Sequence, residues 1–396
     1  MRWVESAGRK KIPINARFFS GVIFLLLCIS ILALPRYARS LDDLQGLRVP
    51  DYIQISPAGD ELVYCAGGQL WLVPTRASTD PKPLAKGSLP IWSPHGKRLA
   101  YYSQKSGSRQ LWVMDLATLR AKKITNLPGG IRPGPAVRLA DWIADPLRFS
   151  WSPDGKKIVF ASQAKAAAGS HARVDAPSQA MVNQLFIVNV STKSLRRLTH
   201  DDTIYFNPAW SPDGRAIVCA FSKGRSPRIG STNLYIINAA TGKKTALTND
   251  DSDKRLPLWS PDGNWIAFLS GTDAESQTVF VIPSNGGVPV AVIPHVGHSI
   301  AEFAWMPDSW TLVMLANDEA NRPILRVPVS GRPVTRITGD AAASRRALSA
   351  AGNGSLAWVQ DGGSRSSAIV LKSSDGASPR ILVKLGSQPQ PRKLGA

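Results

Sequence analysis

From residue 41 onward the chain is a succession of short apolar runs separated by turn residues, and the runs recur in a fixed order. Each recurrence is marked by one pattern: Trp92-Ser-Pro-His-Gly96, Trp151-Ser-Pro-Asp-Gly155, Trp210-Ser-Pro-Asp-Gly214, Trp259-Ser-Pro-Asp-Gly263 and Trp305-Met-Pro-Asp-Ser309. Weaker copies begin at Ile55-Ser-Pro-Ala-Gly59 and Leu348-Ser-Ala-Ala-Gly352, and successive copies stand 37, 59, 59, 49, 46 and 43 residues apart. Behind each copy comes an apolar run such as Ile158-Val159-Phe160 or Ile266-Ala267-Phe268, then a second such as Leu111-Trp112-Val113 or Leu234-Tyr235-Ile236-Ile237. A last run carries bases and often closes in Leu-Thr or Ile-Thr, at Thr125, Thr199, Thr248 and Thr338. Four short, β-branched and aromatic strands per unit predict one blade of a β-propeller.

The expected fold is therefore all-β, a seven-bladed propeller over 51–385, with blades starting near 51, 88, 147, 206, 255, 301 and 344. Six or eight blades would follow if an end copy were misread. No helical period of useful length occurs after Ser40. The turn chemistry agrees with the strand pattern: Pro presets φ, Asp bonds its own backbone, and Gly takes the left-handed position. Each repeat Trp (Trp92, Trp151, Trp210, Trp259, Trp305) should end an innermost strand and pack between blades. Asp154, Gly155, Asp213, Gly214, Asp262, Gly263 and Asp308 have a sufficient structural role in the turns, and no catalytic residue is expected among them.

The first forty residues read differently. Arg2, Arg9, Lys10, Lys11 and Arg17 make residues 1–17 a basic leader, and 18–34 is an uncharged apolar run from Phe18 to Leu34. Basic residues ahead of such a run signal export, as an uncleaved anchor or as a signal core. Residues 35–50 then read as a linker and 386–396 as a tail. The propeller would face the periplasm or extracytoplasmic space, anchored at the inner membrane or secreted after cleavage. The whole chain carries +20, and seven bases and one acid fall in its first forty residues, leaving +14 on the remainder. An exported protein of that charge suits anionic surroundings rather than nucleic acid. Its three cysteines, Cys28, Cys65 and Cys219, are too few for a disulfide scaffold and contain no CxxC pair. Cys65 and Cys219 are expected at equivalent strand positions as buried thiols.

Repeats of this kind, with an aromatic third strand and a closing Leu-Thr, resemble the TolB-like propeller repeats of the Tol-Pal envelope system. The same repeats form the propeller halves of prolyl oligopeptidase and dipeptidyl peptidase IV relatives. The opening Leu41-Asp-Asp-Leu44, through Val49 to Ile55-Ser-Pro57, is similar to the start of the peptidase propellers. The resemblance implies a binding propeller, or the propeller portion of a serine peptidase. Those peptidases carry a hydrolase domain with a G-x-S-x-G elbow. The nearest string here, Gly297-His-Ser-Ile-Ala301, lacks the last Gly and leads into a strand, so no catalytic Ser, Asp or His carries over.

Blade connectivity assigns loops to sides of the disc. Loops between second and third strands and between blades share one face, which holds two long insertions at 126–148 and 163–183. Candidate binding residues on that face are Trp142, His171, His200, Asp201, Asp202, Asp250, Asp251, His295 and His298, with Asp253 and Glu302 in the blade-to-blade loops. Binding residues concentrate on variable loops above a rigid scaffold. His295-x-x-His298 also invites comparison with metal-dependent lyase propellers, although no helix aligns the pair. No cofactor is expected. Bases on the outermost strands (Arg120, Lys122, Lys123, Arg196, Arg197, Lys243, Lys244, Arg336, Arg380) would guard exposed edges against pairing with other chains, or rest against lipid headgroups. The functional expectation is a non-enzymatic envelope propeller that binds a protein or envelope component. A propeller part of a prolyl-oligopeptidase-type peptidase, and a metal-dependent carbohydrate lyase, are the alternatives.

Overall fold

Alternating apolar runs close into seven four-stranded antiparallel sheets in the computed structural model of the chain. It describes residues 50–76, 80–133, 148–165, 181–222, 232–271, 276–293, 299–317, 322–338, 344–362 and 366–385. The apolar run at 18–34 lies outside these residues, and no helix among them is long and apolar enough to cross a membrane. Twenty-eight strands are formed, numbered in chain order. In the first blade β1 (Pro50–Ile55), β2 (Glu61–Ala66), β3 (Gln69–Pro74) and β4 (Lys82–Lys86) pair as a simple meander. The other first strands are β5 (Ser88–Trp92), β9 (Ser150–Trp151), β13 (Ile204–Trp210), β17 (Asp253–Trp259), β21 (Ser299–Trp305) and β25 (Ser344–Ala350). These strands neighbour one another around the ring, and β25 returns to lie beside β1.

Every sheet is built from four consecutive strands, so no strand is exchanged to lock the ring. Blades adhere by packing and by a repeated pair of hydrogen bonds. The indole Nε1 of Trp92 donates to the Gln54 carbonyl at 3.0 Å, Trp151 to Ile91 at 3.2 Å, Trp259 to Ala209 at 3.2 Å and Trp305 to Leu258 at 3.1 Å. In each case the acceptor sits one residue before the equivalent repeat position of the preceding blade. The side chain at that same place takes a second bond: Gln54 Oε1 accepts Trp92 N–H at 2.8 Å, and Ser150 Oγ accepts Trp210 N–H at 3.2 Å. Closure repeats the device, with Ile55 N–H donating to Ser349 Oγ at 3.1 Å. Around that last joint Ile53, Ile55, Leu62, Ala357, Val359 and Ile369 form one buried cluster.

The first-to-second-strand turns make a second ring. Asp154 Oδ1 accepts Ser152 Oγ–H at 2.6 Å and Lys156 N–H at 3.0 Å, and Asp213 and Asp262 do the same with Ser211 and Ser260. The Ser152 bond holds the Asp154 carboxyl below its usual range. Gly96, Gly155, Gly214 and Gly263 each lie against the proline of the turn before, whereas Gly59 faces Asn353. A Cβ at Gly214 would stand 3.3 Å from Pro153, and its φ of 71° favours glycine. Ser309 occupies that conformation at φ 60°, and its Oγ accepts the Asp262 N–H at 3.0 Å, tying the fifth blade to the sixth.

The closing threonines share one task. Thr125, Thr199, Thr248 and Thr338 each accept, at Oγ1, an N–H from the third strand of their own blade, that of Leu111, Leu185, Leu234 and Ile324 at 2.9 to 3.1 Å. The cysteine expectation needs correcting. Pairing aligns Leu62 with Ile55 and Ile217 with Trp210, which makes Cys219 the counterpart of Tyr64, one residue away from Cys65. Successive strand residues face opposite sides, so the two thiols belong to different clusters, although both are buried and free.

Trp210 tests the indole bond, since its Nε1 is buried with no acceptor while its exposure, 8%, matches the 9% of Trp305. Trp305→Phe should destabilise the chain by about 1 kcal/mol more than Trp210→Phe, the net worth of one hydrogen bond. Urea unfolding of both variants measures the difference, and equal losses would refute the stitching role.

Candidate functional site

Counting three residues back from the repeat position in every blade identifies the side chains that ring the axis. In the seventh blade, pairing with Leu356 makes that position Ala350, a correction to the Leu348 read from the sequence. The axial side chains are Tyr52, Leu89, Arg148 and Asn207, then Leu256, Glu302 and Ala347. All line the axial cavities. Pairing breaks register near this level in most first strands, and Leu89, Asn207, Leu256 and Ala347 take φ of 47–54°. Such bulges turn the strand and free backbone groups toward the axis.

The larger cavity, about 750 Å³, lies where the first strands begin, toward the face of the inter-blade loops. Arg109, Arg148 and Arg346 line it with Asp51 and Glu302, among Tyr52, Tyr102 and Phe303. A smaller one of about 240 Å³ shares Gln54, Arg148, Leu256 and Leu258 with it and reaches Trp92, Pro94 and Trp151. Glu302 lies in β21, not in a blade-to-blade loop as the sequence suggested. Its two oxygens accept Ala347 N–H at 2.9 Å and Leu348 N–H at 2.8 Å, using groups that the bulge in β25 exposes. Burial pushes its carboxyl above 4.5, while those backbone bonds and Arg148 and Arg322 pull it down. Partial burial also raises Asp51, against the pull of Arg346, which pairs with Asp361 at 3.1 Å. Arranged this way, the cavity can take a polar ligand with both acidic and basic groups.

The residues singled out from sequence fall in several places. Trp142, His171, His295 and His298 lie outside the described residues. His200 is exposed, its Nε2 3.2 Å from the Arg197 carbonyl; Asp202 is half-buried and Asp251 exposed. Asp201 accepts the Tyr205 hydroxyl at 2.9 Å, the Thr203 N–H at 3.2 Å and the Lys244 ammonium. Asp250 accepts Ser252 Oγ–H at 2.6 Å and the buried Lys254 ammonium; burial acts to raise its carboxyl, and these bonds outweigh it. Asp201 and Asp250 thus anchor two successive inter-blade loops separately. Asp253, expected in a loop, opens β17 and accepts the Thr232 hydroxyl at 3.0 Å. Among the described residues no group of three His, Cys, Asp or Glu could hold a metal. Ser299 of the Gly-His-Ser string begins β21 and is buried.

The long insertions are shorter than they looked. Ile131 is fully buried and donates its N–H to the Arg109 carbonyl at 2.7 Å, so 126–133 belongs to the joint between the second and third blades. β10 (Lys157–Lys165) and β11 (Met181–Asn189) pair up to Lys165 and Met181, which leaves 134–147 and 166–180 as the inserted segments. The outer-strand bases stand as expected on β8 (Arg120–Lys123), β12 (Leu195–Arg197), β16 (Lys244–Ala246), β24 (Thr335–Arg336) and β28 (Arg380–Leu385), with Lys243 just ahead of β16. Two of them also cross to the next blade, Arg196 to the Ala239 and Ala240 carbonyls and Arg380 to that of Thr75.

Sequence reading missed the amides that precede the third-strand leucine. Gln110 Oε1 accepts the Thr125 hydroxyl at 2.7 Å and Asn233 Oδ1 accepts that of Thr248 at 2.8 Å, while Gln184 Nε2 reaches the Thr203 carbonyl at 2.8 Å. Their signal was a recurring Gln or Asn immediately before Leu70, Leu111, Leu185 and Leu234.

Comparison with known proteins bears on this geometry. The family model described as the TolB beta propeller domain matches residues 179–392. The uncharacterized peptidase YuxL of Bacillus subtilis is 27% identical over 175 residues, which are 38% of this chain and 23% of that one. The Tol-Pal system protein TolB of Francisella tularensis is 29% identical over 110 residues, 28% of this chain and 19% of its own. The chain thus spans less than a quarter of the length of these curated relatives. A solved prolyl endopeptidase aligns over 93% of this chain and 55% of its own at 13% identity, with a TM-score of 0.61, a likeness of fold.

Glu302 generates a pH prediction. With its folded-state pKa raised, the folded form holds the proton longer than the unfolded one, so stability falls as pH rises above 4.5. The urea midpoint of the wild type should therefore decline relative to that of Glu302→Gln as the pH rises above 4.5. Parallel profiles would show that Glu302 ionises normally.

Proposed function

Because the chain belongs to the TolB beta propeller domain family, we propose that it is a non-enzymatic binding scaffold of the cell envelope, holding a protein or envelope ligand over its axial cavity. The observation that carries this reading is the contrast in use between repeat residues and axial residues. Trp, Asp and Thr of the repeat are engaged in joining strands and blades. Arg109, Arg148, Arg346, Asp51 and Glu302 instead gather around a cavity of about 750 Å³ on the side of the inserted loops. Polar groups converging in an otherwise apolar concavity are the usual form of a binding site. The basic, apolar leader at 1–34 supports export, with the propeller in the periplasm or extracytoplasmic space, held at the membrane or released after cleavage.

The curated peptidase relative and the prolyl endopeptidase fold favour a second reading, in which the chain supplies the propeller part of a serine peptidase. Recovery with the tagged chain of a separate polypeptide that a fluorophosphonate probe labels would favour that reading over the first.

The scaffold reading is tested by affinity recovery of the tagged full chain from solubilised envelopes. Beside it would run one variant with 134–147 and 166–180 replaced by short Gly-Ser linkers and another carrying Arg148→Glu. A specific partner recovered with the wild type should be lost with the linkers and bind more weakly, by about thirtyfold or more, with the charge reversal, in line with a desolvated charge contact worth about 2 kcal/mol or more. Identical recoveries from all three would overturn it.

A further inference from the structure

Opposite the loop face, the disc ends in the turns between first and second strands and, farther from the axis, those between third and fourth strands. Several large apolar side chains stay exposed on this side. Leu119, Leu195, Val334 and Ile381 stand where β8, β12, β24 and β28 begin. Val288 and Val290 lie at the start of β20 (Val290–Ala291), 81% and 57% exposed, and Trp310 follows the sixth first-to-second turn at 53%. Nothing in the propeller requires them, since the corresponding turn of the fourth blade carries Gly242-Lys243-Lys244.

The fifth and sixth blades concentrate these groups. Trp310 meets Trp265 edge-on with ring centres 6.5 Å apart, and its carbonyl accepts the Val329 N–H at 2.8 Å. Beside them Gly331 of the sixth blade lies against the Val292 carbonyl of the fifth, which brings the turn holding Arg332 and Val334 next to Val290. Arg332 is exposed in this turn, whereas Arg336 lies farther along β24, opposite Leu325. The nearby acid Asp308 accepts the Trp310 and Thr311 N–H groups and stands 3.8 Å from Arg326.

We propose that the turn edge of the fifth and sixth blades is a lipid-contact surface, which rests on an anionic bilayer with Val288, Val290, Val334 and Trp310 in the headgroup region and Arg332 on a phosphate. Protruding aliphatic tips bury area by sinking into a soft surface, whereas a protein partner would call for a groove, and neither axial cavity reaches this edge. Tryptophan is at home at the membrane–water boundary, because its ring is apolar and its N–H finds water. Arg332 beside the tips complements anionic headgroups and adds to the apolar term. The loop face would then point away from that bilayer, free for the ligand proposed above, and neither proposal depends on the other.

The test places an environment-sensitive fluorophore on the full chain at Val288→Cys, with Cys28→Ser, since Cys65 and Cys219 are buried. A second sample carries the fluorophore at Ser106→Cys, on the opposite face. Vesicles of phosphatidylcholine, with or without phosphatidylglycerol and with spin-labelled lipid, are added to each. A local label reports this edge even if the apolar leader binds the same vesicles. The expected result is blue-shifted, spin-quenched emission at position 288 with the anionic vesicles, none at position 106, and about fivefold weaker partitioning for Arg332→Gln, as one well-placed base predicts. Equal response at both positions, no response at 288, indifference to lipid charge, or a response at 288 only when envelope protein is added would overturn the proposal.

Discussion

A ring of seven sheets that exchanges no strand depends on what happens at the joints, and here the decisive contact is an indole N–H meeting a carbonyl of the blade before. Tryptophan is the side chain able to fill the wedge between two twisted sheets while its one polar atom still finds a partner. Had the joint been purely apolar, blades would slide against each other at little cost. The directional bond fixes their relative height and angle. Everything nearer the axis inherits that placement, including the backbone groups at the bulges that Glu302 and Asn207 approach.

The fold was legible in the sequence because each repeat presents the same local chemistry several times over. Trp151, Asp154 and Gly155 would be ambiguous alone, but in register with four near copies they leave one architecture. Blade number and the structural use of the Asp residues followed from that. The axial site was harder to read. Arg148 and Glu302 look like loop residues, because Arg148 ends an inserted segment and Glu302 sits in a strand whose alternation a bulge disturbs. Period-two reasoning assigns faces only while the register holds. An offset counted from the repeat position survives the bulge and recovers the axial residue in six blades, while in the seventh the position itself shifts from Leu348 to Ala350. The amides at Gln110, Gln184 and Asn233 escaped notice for another reason: an uncharged polar residue at a strand start carries no chemical signature until its partner is seen.

The two sides of the disc are built under different demands. On the turn side the chain is tight, with Pro, Asp and Gly interlocked from blade to blade, so a residue exposed there is free of any duty to the fold. On the loop side the connections are long and the acids Asp201 and Asp250 hold them in place. That division lets one side specialise in shape and the other in surface chemistry.

The fixed offset between repeat position and axial residue separates two kinds of information in the chain. Position zero encodes how blades are mounted, and position minus three encodes what the pore presents, with one residue contributed by each sheet. Tyr, Leu, Arg, Asn, Leu, Glu and Ala already occupy those places without altering the mount. The axis is therefore a modular dial. Its settings can be exchanged blade by blade, so a scaffold of this kind can be re-addressed to a new ligand by isolated substitutions while its architecture is carried forward intact.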